Sequence, residues 1–158
     1  MKTQNIFREI VNTLGLENDE IIEIFENSDI SYSESQVEAL FLDGEDQEKF
    51  DNKILEDFLN GFIIYKRGRK EEKPGAESNK PQEIKIAKHI NNVVMKKLKI
   101  ALSLTNDDVV DLFEEGNVFI TKGDLTPYFR KDSHKHYKRC DDTFLMNFLK
   151  GLKIFTIG

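Results

Sequence analysis

Asp132, His134, His136, Cys140, Asp141 and Asp142 crowd metal-binding side chains into one short stretch. Imidazole, thiolate and carboxylate all ligate zinc, and two imidazoles one residue apart project to the same side of an extended chain. Asp132, His134, His136 and Cys140 are the metal candidates. Their spacing matches no standard zinc pattern, and the related segment 44–51 holds no His or Cys. The plainer account is a solvated loop in which Cys140 packs as a small apolar group and an aspartate caps the next helix. His89 stands alone and reads as a surface residue.

Basic side chains are the other chemical resource. Lys66, Arg67, Arg69, Lys70 and Lys73 form one cluster, Lys96, Lys97 and Lys99 a second, and Lys131, Lys135, Lys138 and Arg139 a third. Such clusters neutralise phosphates and give salt-sensitive affinity. Lys66, Arg67, Arg69, Lys70, Lys96 and Lys97 are the candidate contacts to phosphate or to a partner. The short helices expected around residues 18–25 and 33–41 could imitate a helix-turn-helix, but the would-be reading helix carries Glu34 and Glu38 and no arginine. The chain contains no GxxxxGK, GxGxxG, HExxH, CxxC or GxSxG pattern. No catalytic residue, cofactor-binding residue or cofactor is therefore assigned.

The elements that must position these groups are helices. Ile6, Phe7, Ile10, Val11 and Leu14 share one helical face, which Gly15 ends. Asn18 reads as an N-cap with Asp19 and Glu20 against the helix dipole, and Ser33 with Gln36 matches a capping box. Ile54, Leu55, Phe58, Leu59, Phe62 and Ile63 mark the longest helix of the first half, ending near Gly68. Residues 66–83 contain no large apolar side chain and two of the three prolines, which predicts a mobile linker.

From Asn92 the pattern is replayed. At an offset of 88, Leu14, Asn18, Asp19 and Phe25 match Leu102, Asn106, Asp107 and Phe113; at 90, Leu55, Phe58, Leu59 and Gly61 match Leu145, Phe148, Leu149 and Gly151. A glycine inside a helix costs about 0.5–1 kcal/mol relative to alanine, so Gly61 and Gly151 point to close helix packing at both places. Thr105 with Asp108 and Thr121 with Asp124 repeat the start signals, while Pro127 predicts a kink or a late start. The expected fold class is all-α, a tandem duplication of a roughly four-helix unit packed as a pseudo-symmetric pair through the last helix of each copy. Residues 1–65 are the first repeat, 66–90 a basic linker and 91–158 the second repeat.

Charge is divided unevenly along this plan. Residues 1–65 hold 4 Lys/Arg against 16 Asp/Glu, residues 66–99 hold 11 against 4, and residues 100–158 hold 8 against 9. The net charge of −6 therefore does not choose the partner. One cysteine permits no intramolecular disulfide, and no stretch reaches the roughly 18 apolar residues of a membrane span, so a cytoplasmic protein without membrane contact is expected.

The two copies of Leu-x-x-Phe-Leu-x-Gly, the Asn-Asp helix start after Leu-x-Leu, the YKRG at Tyr65 to Gly68 and the NNVVMKKLKIALSL opening of the second copy resemble the YehS-like bacterial proteins, domain-of-unknown-function family 1456. The resemblance implies a bacterial, soluble, two-copy helical protein and brings no activity or site residues with it. The functional expectation is a non-enzymatic binding module acting through protein–protein contact, with homo-oligomers left open. The alternatives are a nucleic-acid-binding protein using the basic linker and second repeat, and a metal-dependent enzyme centred on the His/Cys loop.

Overall fold

A computed structural model describes residues 1–43, 49–69 and 89–157. Helix α1 spans Thr3–Leu14, α2 Asn18–Glu26, α3 Glu34–Ala39 and α4 Asn52–Arg67. The second copy repeats the order with α5 at Ile90–Ala101, α6 at Asn106–Glu115, α7 at Lys122–Leu125 and α8 at Asp142–Ile157. Pro127 explains why α7 stops early: the chain passes into a 3-10 turn at Thr126–Phe129 with the proline in its first positions, where its missing N–H leaves no bond unmade. No strand occurs among the described residues. Helix α4 continues through Arg67 and α5 starts at Ile90, while residues 70–88 of the expected linker, Lys70 among them, lie outside the described part.

The duplication extends to backbone detail. Gly15 (φ 61°) and Ser103 (φ 54°), one offset apart, both take the left-handed conformation after the first helix of their copy. Asp29 (φ 61°) and Asn117 (φ 64°) do the same after the second. Ser33 accepts the Gln36 N–H at 3.2 Å and Thr121 the Asp124 N–H at 3.1 Å. Asp51 and Asp141 cap the last helices, accepting from Ile54 at 2.9 Å and Phe144 at 2.7 Å. The α2 start differs by one residue from the sequence expectation: Glu17, not Asn18, is the N-cap, its N–H bonded to the Glu20 carboxylate at 3.1 Å. Asn18 and Asn106 are first helical residues in both copies.

Gly61 and Gly151 work inside each copy. A Cβ on Gly61 would overlap the Ile24 carbonyl of α2, and one on Gly151 the Leu112 carbonyl of α6. The last helix of each copy can therefore lie against the backbone of the second. The seam between the copies is made elsewhere, which corrects the expectation that the two last helices form it. Helix α4 packs on α5 and α8 on α1, the same contact seen twice, and each is more extensive than the contact between first and last helix within a copy.

Polar contacts give the orientation. Thr3 Oγ1 donates to Asn52 Oδ1 at 2.6 Å, Asn91 Nδ2 to Asp142 Oδ1 at 2.8 Å, and the Met1 amine lies 2.7 Å from Asp142 Oδ2. At the far end Arg67 donates to the Ile100 carbonyl at 3.5 Å. Helices α1, α4, α5 and α8 thus begin at one end of the molecule. Parallel dipoles repel, and Asp51, Asp141 and Asp142 at the N-termini with Lys66, Arg67 and Lys99 in last turns offset that repulsion.

One polar pairing inside the core is also duplicated. Gln4 donates to the Leu40 carbonyl at 2.7 Å, and its counterpart Asn92 donates to the Tyr128 and Lys138 carbonyls at 3.0 and 2.9 Å. The Asn92 Oδ1 also accepts the Cys140 N–H at 2.8 Å. Buried backbone groups left unpaired are expensive, so Asn92→Ala is expected to cost about 2 kcal/mol and Gln4→Ala about 1 kcal/mol. Urea unfolding of the two variants checks this order, since Asn92 serves three backbone groups and Gln4 one.

Candidate functional site

The loop that carries the sequence's metal candidates runs from Arg130 to Asp141 and is held down from its ends. Asn92 bonds Tyr128, Lys138 and Cys140, and Asn91 donates to the Cys140 carbonyl at 3.1 Å. Inside the loop, His134 N–H reaches the Lys131 carbonyl, Tyr137 N–H the His134 carbonyl, and Lys138 N–H the Pro127 carbonyl, all at 2.9–3.0 Å. This bonding leaves side chains pointing both ways.

Cys140 points inward. Its thiol is fully buried with Sγ 3.9 Å from Met95 Sδ, and burial, reinforced by the Asp141 and Asp142 charges, pushes it up to about 12. A thiol that keeps its proton is neither a good nucleophile nor a ready ligand. His134 and His136 are exposed, with ring centroids 5.7 Å apart, and His134 Nδ1 accepts the His136 backbone N–H at 3.0 Å. They do not converge with Cys140 or Asp132. Among the described residues, the grouping of His, Cys, Asp or Glu with three ligand atoms mutually within 4.8 Å is Glu17, Asp19 and Glu20. Those carboxylates serve the start of α2, where Asp19 Oδ1 accepts the Glu20 N–H at 3.0 Å.

Asp132 instead meets His89, which the sequence had left as a solitary surface residue. His89 is half-buried, its Nε2 3.7 Å from Asp132 Oδ2 and its Nδ1 hydrogen-bonded to the Tyr137 hydroxyl at 2.8 Å. Burial, then the Asp132 charge, raises the Tyr137 phenol to about 12, so it stays protonated. His89 lies 43 positions from Asp132 and 48 from Tyr137, so only the fold could bring it to them. Nearby, Met1, Ile6, Ile90, Asn91, Arg139 and Asp142 line a cleft of about 400 Å³ at the N-terminal end of the seam. Hydrogen bonds from the Met1 amine and from Asn91 hold the Asp142 carboxyl below the usual carboxylate range.

The basic candidates are dispersed. Lys66 lies over the Tyr65 and Phe62 rings at 5.7 and 6.0 Å, Arg67 reaches α5, and Arg69 donates to the Asn27 carbonyl at 3.3 Å. Lys96 is half-buried. Lys97 is corrected from a surface contact to a seam residue: it is 3% exposed and donates to Asn60 Oδ1 at 2.6 Å. It sits on the apolar side of α5 because α4 covers that side, which periodicity within α5 alone does not reveal. Exposed cations remain in two stretches, Lys66, Arg67 and Arg69 at the end of α4, and the loop, with Arg130 in part and Lys131, Lys135, Lys138 and Arg139 in full.

Comparison with known proteins agrees with the two-copy plan. A family described as "Protein of unknown function (DUF1456)" matches residues 5–68 and again 91–158, each match covering one copy. The "Uncharacterized protein YehS" of Escherichia coli (strain K12) is 32% identical over 155 residues, covering 96% of this chain and 94% of that protein. No solved structure matches. No helix among the described residues is long and apolar enough to cross a membrane. With both copies matched and the identity spread over nearly the full length, the chain belongs to the YehS-like family DUF1456.

Proposed function

We propose that this protein is a non-enzymatic binding module that acts through protein–protein contact, with Phe119 as an anchor. The observation carrying this reading is that Phe119 is 76% exposed on a turn of fixed shape. Asn117 sets the left-handed entry to the turn, Val118 N–H bonds the Phe113 carbonyl at 2.9 Å, and Thr121 boxes its exit. Val118 and Ile120 pack inward, so the residue between them must face out. In the first copy the same place, between Ile30 and Tyr32, is Ser31. The fold therefore accepts a serine there. An aromatic ring held in water on a rigid turn is the kind of side chain that anchors protein interfaces.

Three polar groups able to do chemistry are occupied by structure, which supports a binding role over a catalytic one. The Cys140 thiol is buried, His134 is bonded to its own loop, and His89 is bonded to Tyr137. The neighbouring exposed carboxylates Glu114 and Glu115 suit a partner with an apolar pocket and a basic rim.

The test replaces Phe119 by a photo-crosslinking phenylalanine derivative in the full chain, expressed in bacteria. Reproducible adducts to one protein are expected, and Phe119→Ser should lose that protein from affinity capture while its melting temperature stays within about 2 °C of the parent. An unchanged captured set with Phe119→Ser would remove Phe119 from the interface.

A further inference from the structure

We propose that the exposed side of the loop from Arg130 to Arg139 is a second, separate binding surface, which takes the phosphate backbone of nucleic acid without reading its sequence. The loop's exterior carries Arg130, Lys131, Lys135, Lys138 and Arg139, five cations, against one carboxylate, Asp132. That carboxylate is turned to His89. The carboxylates next in line are also engaged: Asp141 caps α8, Asp142 bonds Asn91 and the Met1 amine, and Asp124 accepts the Thr121 N–H at 3.0 Å. Lys99 extends the surface from α5, its Nζ 5.2 Å from the centroid of the Phe129 ring beside Arg130.

The fold does not require this charge. The corresponding loop of the first copy holds Asp43, Glu45, Asp46 and Glu48 against Lys49 before its own capping Asp51, so the same helices are joined by a loop of opposite sign. What the helices need from this connection is the cap and the buried amide contact, and both copies have them. The sign is free to be set by what the loop meets.

Two observations favour a phosphate backbone over an acidic protein. Protein interfaces are depleted of lysine at their centre and rely on exposed aromatic or aliphatic anchors. This loop exposes none: among the described residues the exposed large apolar side chains, Met1, Leu42, Ile100, Phe119 and Ile154, all lie outside it. The adjoining large rings are engaged by cations, Tyr128 by Lys138 at 5.2 Å and Phe129 by Lys99 at 5.2 Å, so of the aromatic groups only the His134 and His136 imidazoles stand exposed beside the charge. Asn91 and Asn92 hold the loop's backbone at its ends, so the main chain needs little ordering on contact. At physiological salt charges act over about 8 Å, so the net −6 of the whole chain does not cancel a local patch.

The experiment is fluorescence anisotropy of the full chain with a labelled mixed-sequence DNA duplex and a single-stranded RNA, each about 20 nucleotides long, from about 50 to 200 mM salt. Binding that weakens steeply with salt and is indifferent to sequence is expected. Lys131→Gln with Lys135→Gln should weaken it about tenfold and lower the salt slope by about two. Lys150→Gln with Lys153→Gln, the same charge change on exposed positions of α8, should leave affinity within about twofold. Equal losses in the two double variants would reduce the effect to net charge and overturn the assignment to the loop. So would absence of binding at low salt, or loop-dependent binding only to vesicles containing an anionic phospholipid.

Discussion

Gly61→Ala and Gly151→Ala are each expected to lower the unfolding free energy by about 3 kcal/mol, and together to abolish the cooperative native state. A Cβ on Gly61 would stand 3.0 Å from the Ile24 carbonyl carbon and overlap its oxygen; one on Gly151 would stand 2.7 Å from the Leu112 carbonyl carbon. These obstacles are backbone atoms inside α2 and α6, so no rotamer change clears them. The helices must separate, and the loss spreads to the rings packed beside them, Phe25, Phe58 and Phe62 in one copy and Phe113 and Phe148 in the other. The two sites lie in different repeats, so their effects should add, exceeding the lower end of ordinary domain stability. Gly123→Ala is the control. Its Cβ would meet only Thr121 Oγ1 at an ordinary 3.6 Å, and stability should rise by about 0.5 kcal/mol. Urea unfolding distinguishes the cases; a Gly61→Ala loss below about 1 kcal/mol would show that the helices can slide apart cheaply.

What the sequence made legible was local. Capping pairs such as Ser33 with Gln36 and Thr105 with Asp108 place helix starts because both partners lie within one turn. The two offsets exposed the duplication, and the repeated glycines announced a close approach. The identity of the approaching helix was not legible, because an apolar stripe says that a face is covered without saying by what. For that reason the seam was assigned to the two last helices, whereas α4 meets α5 and α8 meets α1. Gln4 and Asn92 were missed on the same ground. A polar residue near an apolar stripe reads as solvent-facing until the carbonyl it must satisfy is brought to it from some 36 residues away. In the candidate site, residue types drew attention to the loop but did not reveal which of its side chains turn inward. Cys140 points inward because Asn92, on another helix, holds its N–H and the Lys138 carbonyl, a contact that the loop's own sequence does not show.

Lys97 supplies the other large effect, and its sign depends on pH. Burial in the α4–α5 seam lowers its ammonium from 10.5 to about 8, with the Glu56 charge opposing the shift and Lys96 adding to it. The folded chain therefore releases this proton near pH 8 and the unfolded chain near 10.5. Between those values the unfolded state binds more protons, so this group makes stability rise with pH across that window and leaves its full penalty in place below it. The gap corresponds to roughly 3 kcal/mol, of which the hydrogen bond to Asn60 returns a part. Lys97→Met keeps the packing volume and removes the charge, and it is expected to be more stable than the parent by about 2 kcal/mol at neutral pH. That advantage should shrink as pH rises from about 8 to 10.5 and vanish above 10.5, where the parent lysine is neutral in both states. Urea unfolding of both proteins in parallel cancels the tyrosine titrations common to them. A parent that is the more stable at neutral pH would mean that the ammonium is net favourable in the seam. The stated outcome leaves the Lys97–Asn60 bond a different role, fixing which turn of α4 meets which turn of α5 at a cost in stability, as a single buried polar pair does between other paired helices.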